Sequence, residues 1–235
     1  MVITLYDLAG AEDSIRFSPH CWRVRMALRH KGLDFEAIPW RFTEKDVIAF
    51  SGQGAVPVLV DGQRTVVDSW EIARYLDAAY PDSPSLLGGE QGTAHALFIK
   101  LWCEQTLHPL VLRMILFDIF AALHEKDIDY FRRTREARLG MTLEQAVLPP
   151  EQGLPQLAQV LSVPRAVLAV QPYLGGISPS FADYLLLGVF MWARTVSPIR
   201  LLQADDPMYA WRERLLDAFD GYARKARRIH DSYPE

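Results

Sequence analysis

Two short runs rich in β-branched residues, Val58–Val60 and Thr65–Val67, enclose the dipeptide Asp61-Gly62. Asp-Gly between apolar runs is a strong hairpin signal, because the tight turn demands positive φ at its central residues. The hairpin commits this part of the chain to a sheet. Val2–Leu8 and Phe35–Trp40 read as two further strands. Between them Ser18-Pro19 opens a helix: serine caps it and proline suits the first helical position. Cys21, Val24 and Leu28 recur at helical spacing and Gly32 ends the run. After the hairpin, Asp68-Ser69 caps another helix that runs to Tyr80 and stops at Pro81. The order strand, helix, strand, hairpin, helix specifies a small mixed sheet with helices packed on it.

After Pro84 the strand signals fade. Helical runs are expected over Thr93–Leu123, Asp127–Leu143, Val163–Val170, Phe181–Val196 and Met208–Arg228, with Pro149-Pro150 and Pro155 punctuating a loop. Pro, Ser and Gly cluster at residues 82–92, so the expected domains are 1–84 and 92–235. The apolar stretch Leu107–Leu123 is interrupted by Arg113 and Asp118 and is too short for a membrane span, so it reads as a buried helix. A net charge of −4 offers no broad field for nucleic acid. The two cysteines, Cys21 and Cys103, form neither a metal-ligand cluster nor a disulfide framework, so no metal is expected. Sparse cysteine and an N-terminus without signal-peptide character point to the cytoplasm.

Three segments carry candidate chemistry. Val56-Pro57 precedes the hairpin; a cis bond there would turn the Val56 N–H and C=O outward to pair with an extended peptide, whereas an ordinary edge proline is the plain alternative. Ser18-Pro19-His20-Cys21 sits at a helix start, where free N–H groups and the helix dipole favour an anion such as a thiolate. Serine replaces the first cysteine of a redox Cys-x-x-Cys, so its hydroxyl can donate to another molecule's sulfur; capping alone is the alternative. Cys21 lies on the apolar face and reads as a buried structural residue, and His20 stands either at the mouth of a site or on the surface. Asp68-Ser69 can cap the second helix or hold an amino-acid head group, the aspartate on an ammonium and the hydroxyl on a carboxylate.

With these residues in view, the whole chain resembles a cytosolic glutathione transferase. Ser18-Pro19-His20-Cys21-Trp22-Arg23 resembles the first helix of the zeta and omega classes, and Val56-Pro57 and Asp68-Ser69 match that superfamily's glutathione-site motifs. Tyr173-Leu174-Gly175-Gly176 followed by Ser180-Phe181-Ala182-Asp183 matches its folding signature, physically a capping box in which Ser180 caps and Asp183 reaches back. Thr4-Leu5-Tyr6-Asp7-Leu8, Leu28-Arg29-His30-Lys31-Gly32, Val67-Asp68-Ser69-Trp70 and Phe219-Asp220-Gly221 resemble, more narrowly, the bacterial lignin β-aryl etherases.

The resemblance implies an α+β, thioredoxin-like N-terminal domain, with a mixed four-stranded sheet and flanking helices, joined to an all-α C-terminal domain. It implies glutathione as cosubstrate, held by Ser18, Val56, Pro57, Asp68 and Ser69, with Ser18 stabilising the thiolate. A homodimer is also implied. Ala55 stands where many relatives carry a basic or amide side chain, so Arg41 or Lys45 is the expected substitute at the glycyl carboxylate. His20, Trp102, Met114, Phe117 and Trp192 are candidates for a pocket that takes an aromatic electrophile; for the last four, packing between long helices is the alternative. Three functions follow: cleavage of β-aryl ethers, general conjugation or zeta-like isomerisation, and non-catalytic storage of aromatic compounds.

Overall fold

The computed structural model describes residues 2–230; residues 231–235 of the expected second domain lie outside them. Strand β1 (Ile3–Leu8) is central in a four-stranded sheet. β2 (Phe35–Trp40) pairs with it in parallel, β3 (Val58–Asp61) antiparallel, and β4 (Arg64–Val67) completes the hairpin, giving the order β2-β1-β3-β4. Gly62 turns the hairpin with φ at 60°, as its sequence requires.

The register decides where a site can form. Leu8 stands opposite Trp40, Tyr6 opposite Val58, and Val58 opposite Val67. The ends of β1, β2 and β4 and the start of β3 therefore share one end of the sheet. Helix α1 (Pro19–His30) and helix α2 (Ser69–Ala79) both begin at that end. A short 3₁₀ turn over Lys45–Ser51, which the sequence did not announce, closes the loop after β2.

The rest is helical: α3 (Gly89–Trp102), a single wide π turn (Cys103–Leu107), α4 (His108–Met114), α5 (Leu116–Ala122), α6 (Glu125–Leu139), α7 (Leu143–Ala146), α8 (Pro150–Val160), α9 (Ser162–Leu168), α10 (Phe181–Val196) and α11 (Pro207–Gly221). Every α10 residue except Arg194 is buried, as befits a helix apolar all round its circumference. It packs on α1 and α3 and joins the two domains.

Three expectations change. The run Thr93–Leu123 is not one helix: Ile115 leaves helical geometry and α5 departs at 69°. The proline-marked loop contains α8, with Pro150 in its first turn and Pro155 inside it. Burial of Gly153 and Leu157 offsets the missing N–H of Pro155. The last helix also breaks early, because Ala218, Phe219 and Asp220 depart from helical φ/ψ. No single helix among the described residues is long and apolar enough to cross a membrane.

Candidate active site at the start of the first helix

A cavity of about 280 Å³ opens where the sheet end meets the helices. Ser18, Pro19 and His20 from the α1 start, Trp40 at the end of β2, Phe42 and Lys45 after it, and Ala55-Val56 before β3 line it from the N-terminal domain. His108 of α4, Trp192 of α10, and Tyr130, Phe131, Arg135 and Arg138 of α6 line it from the C-terminal domain.

Ser18 is buried and caps α1, its Oγ accepting from the Cys21 N–H at 3.3 Å. A hydroxyl that accepts one bond keeps its O–H to donate. The Cys21 thiol is fully buried, and burial together with the Asp7 carboxylate pushes its pKa well above the ordinary value. It stays a thiol at neutral pH and is no nucleophile.

The peptide Val56-Pro57 is cis. One register step beyond the Val58–Val67 pair, Pro57 and Asp68 end the hairpin side by side. Asp68 has φ at 68° and caps α2, its carboxylate accepting from the Trp70 N–H at 2.9 Å and the Glu71 N–H at 3.3 Å. Positive φ in a non-glycine residue costs about 1–3 kcal/mol and persists only where the surroundings enforce it; here the two capping bonds do so. Ser69 is buried beside it. Asp68 and Ser69 thus flank the cavity without lining it.

Arg41 is committed elsewhere. Its Nε donates to the Gly10 carbonyl at 3.0 Å, and its Nη2 donates to the Ala11 carbonyl at 3.0 Å and to Asp13 at 2.6 Å, which ties down the loop before α1. Lys45 reaches the cavity instead. Its Nζ lies 4.8 Å from the Trp40 ring centre and 4.9 Å from that of Tyr130, and it donates to the Gly54 carbonyl.

Among the aromatic candidates, the structure brings His20 and Trp192 into the cavity with Ser18. Trp102, Met114 and Phe117 do not line it. Trp102 ends α3 half-buried. Met114 is packed beneath α8, where a methyl on Gly153 would lie 2.6 Å from its Cγ. Phe117 follows the bend at Ile115 outward and packs edge-on against Phe120. Trp70, another residue near the motifs, packs on Phe181 rather than on the cavity.

Several residues of the site were not singled out from sequence. Arg23 is fully buried and joins Glu104 Oε1 at 2.9 Å and His20 Nδ1 at 3.1 Å. A guanidinium only donates, so His20 Nδ1 accepts and Nε2 carries the proton. His108 stacks on Trp192 with ring centres 4.6 Å apart and lies 5.6 Å from His20. Burial, then the Arg23 charge, lowers the pKa of both rings, His20 well below its ordinary value and His108 to about 4. Both are neutral at pH 7. The indole N–H of Trp192 is buried without a hydrogen-bond partner.

In the C-terminal domain, the carboxylate of Asp183 accepts from the Leu174, Gly175 and Ser180 N–H groups and from the Trp211 indole, at 2.7–3.0 Å. It fastens α10 to the preceding loop and to α11. Among the described residues, no group of three or more His, Cys, Asp or Glu is placed to hold a metal.

Comparison with known proteins agrees with this arrangement. Residues 14–84 match the family model described as "Glutathione S-transferase, N-terminal domain", and residues 93–222 match "Glutathione S-transferase, C-terminal domain". The chain is 30% identical over 213 residues to "Glutathione S-transferase 3" of Zea mays, covering 84% of this chain and 85% of that protein. A glutathione S-transferase of Ceriporiopsis subvermispora, solved in complex with glutathione, superposes with a TM-score of 0.76 at 25% identity, covering 94% of this chain and 98% of that one. A glutathione transferase of Phanerochaete chrysosporium shares the fold at a TM-score of 0.82 and 23% identity, covering 94% and 97%. These matches establish the superfamily and do not single out its β-aryl etherase branch.

Proposed function

Since this chain belongs to the glutathione S-transferase family, we propose that it binds glutathione along Val56, Pro57, Asp68 and Ser69, sets the thiol beside Ser18, and delivers the thiolate to an aromatic electrophile in the cavity. The observation that carries this reading is the position of Ser18, buried at the α1 start and lining the cavity with Val56 and Lys45. The backbone of Val56 pairs with the cysteinyl residue of the tripeptide. Ser69 meets the γ-glutamyl carboxylate, and Asp68 meets its ammonium. Lys45, rather than Arg41, takes the glycyl carboxylate, because Arg41 is spent on the loop before α1.

A free thiol is ionised only to a few per cent at pH 7. Lowering its pKa by about 1.5–2 units needs about 2–3 kcal/mol. One charge-assisted hydrogen bond from Ser18 and the positive end of α1 supply that much. Ser18 stabilises the thiolate and does not itself attack.

The electrophile first in line is a β-aryl ether of the kind found in lignin-derived compounds. The thiolate forms a C–S bond at the β carbon, the C–O bond breaks, and its electron pair leaves on the aryloxide, which takes a proton from water. A phenol of pKa near 10 is a tolerable leaving group, and the aromatic walls hold the ring. The reading includes a homodimer, for which the exposed Leu97, Phe98 and Leu101 on α3 offer a contiguous apolar strip; sedimentation at the monomer mass rejects it.

The test is phenol release from each enantiomer of a model β-aryl ether, with and without glutathione, in the native chain and in Ser18→Ala. Release that needs glutathione and falls sharply in Ser18→Ala is expected. Ultraviolet titration of the bound thiol should give a raised pKa in the variant, and an unchanged titration removes Ser18 from its role. A lowered thiol pKa without phenol release discards the ether and keeps the transferase.

A further inference from the structure

The cavity has an unbalanced charge. Lys45, Arg135 and Arg138 line it, and no aspartate or glutamate does. The nearby acids are occupied: Glu44 pairs with Lys126 at 2.6 Å, and Asp127 accepts from the Phe42 N–H, the Thr43 N–H and the Thr43 hydroxyl at 2.7–2.9 Å. Glutathione brings one carboxylate to the Lys45 side. The two arginines of α6 line the same cavity, Arg135 against the rings of Phe42 and Phe131.

Arg135 is held between two aromatic rings. Its guanidinium carbon lies 4.8 Å from the Phe42 ring centre and 4.6 Å from that of Phe131, so its orientation is fixed by stacking. Its hydrogen bond is to the neighbouring Thr134 hydroxyl at 3.0 Å, and no carboxylate among the described residues pairs with it. Burial, then the Arg138 charge, lowers its pKa to about 10, so it remains a cation at neutral pH. A half-buried, unpaired guanidinium between aromatic rings is costly to maintain, and an anionic ligand would remove that cost.

We propose that the aromatic cosubstrate carries an anionic group, a carboxylate on the ring or on a short side chain, which Arg135 binds with Arg138 beside it while the ring lies against Trp192 and His108. This rests on the glutathione reading of the Ser18 wall. Within it, the preferred ether is an acid rather than a neutral or amine-bearing compound. The cavity, at about 280 Å³, is at the small end of ligand sites, which run from roughly 300 to 1,000 Å³, and so suits one ring rather than a fused polycycle.

The experiment is equilibrium binding of 3-phenylpropanoate and of its methyl ester to the full chain, by calorimetry and tryptophan fluorescence, with and without saturating glutathione. The acid is expected to bind at least about tenfold more tightly than the ester, the scale of a charge-assisted hydrogen bond, and to keep that preference with glutathione bound. Arg135→Gln should erase most of the preference and Arg135→Lys should retain part of it. Equal binding of acid and ester, binding of neither, or a preference untouched by Arg135→Gln overturns the proposal. So does loss of acid binding when glutathione is added, which would assign the arginines to glutathione itself. Should Arg135→Gln not fold, the acid-to-ester ratio of the native chain and of Arg138→Gln still decides. Glutathione titrated alone in the same calorimeter reports separately on the Ser18 reading.

Discussion

A methyl group placed on Gly188 of α10 would lie 2.4 Å from the carbonyl oxygen of Pro19, the first residue of α1. The two domains meet closely at this point, the Pro19 carbonyl and the Arg23 side chain both standing against Gly188. In an ordinary helix, alanine is better than glycine by about 1 kcal/mol. Here the added methyl meets a main-chain oxygen that has no rotamer to change, and overpacking costs about 1–3 kcal/mol. Gly188→Ala is therefore expected to lower the urea midpoint. Because Pro19 adjoins Ser18, the variant should also lose part of the thiolate stabilisation. Full stability with an unchanged thiol pKa would show that the contact yields freely.

The ion pair of Arg23 with Glu104 crosses the same interface. Arg23 is fully buried, and its Nε and Nη2 have no partner, so Glu104 and His20 carry the whole compensation. Removing one partner of a buried pair costs about 3–5 kcal/mol, because the other charge is stranded. With Glu104 partly exposed, Glu104→Ala should cost near the lower figure in urea unfolding. Burial raises the Glu104 pKa, but the hydrogen bonds from Lys100 and Arg23 outweigh it and the net shift is downward. A lowered carboxylate contributes stability that is complete above about pH 4.3 and is lost as pH falls through the folded value. Acid unfolding should accordingly lose part of its steepness in Glu104→Gln.

Asp183 gives the sharpest isosteric test. Oδ1 accepts from the Leu174 N–H and the Trp211 indole, and Oδ2 accepts from the Gly175 and Ser180 N–H groups. Burial still pushes its pKa above the usual carboxylate value. In Asp183→Asn, one oxygen becomes an amide nitrogen that faces two donors in either flip. Two bonds are lost and their donors stay buried, at about 1–3 kcal/mol each. A loss of about 3 kcal/mol or more is expected by denaturation, despite the nearly unchanged volume. A loss below about 1 kcal/mol would mean that the loop rearranges to pair its donors elsewhere.

What could be read beforehand was whatever is encoded locally. Asp61-Gly62, Ser18-Pro19, Asp68-Ser69 and Ser180 with Asp183 set turns and helix starts through bonds spanning a few residues, and those strands and helices lie within a residue or two of their expected positions. The bend at Ile115 has no glycine or proline to mark it, so the apolar run gave no sign that Met114 and Phe117 would be turned from the cavity. Prolines hid α8, because burial of Gly153 and Leu157 overrides the local penalty. Nothing in the local sequence marks Arg135 and Arg138 as lining a cavity. The packing of α6 against Phe42 sets Arg135 at the cavity, and no local spacing announces a contact between residues so distant in the chain.

His108 provides the last prediction. Burial comes first, and the cations Arg23, Arg138 and Arg135 add to it, against an opposing pull from Glu104; the result is a folded pKa of about 4. The unfolded chain keeps a value near 6.5. Between these values the unfolded state binds the proton and the folded state does not, so stability falls as pH drops from about 6.5 towards 4 and is unaffected above that range. The difference of about 2.5 units corresponds to about 3 kcal/mol at the lower end. His20, lowered for the same reasons, adds in the same direction. His108→Phe keeps a ring against Trp192 and removes the titration. Urea midpoints measured at pH 7 and pH 4.5 should therefore differ less in the variant than in the native chain. Equal falls in both would mean that His108 takes up its proton in the folded protein without penalty, and that the cationic wall beside Ser18 is better screened than its geometry implies.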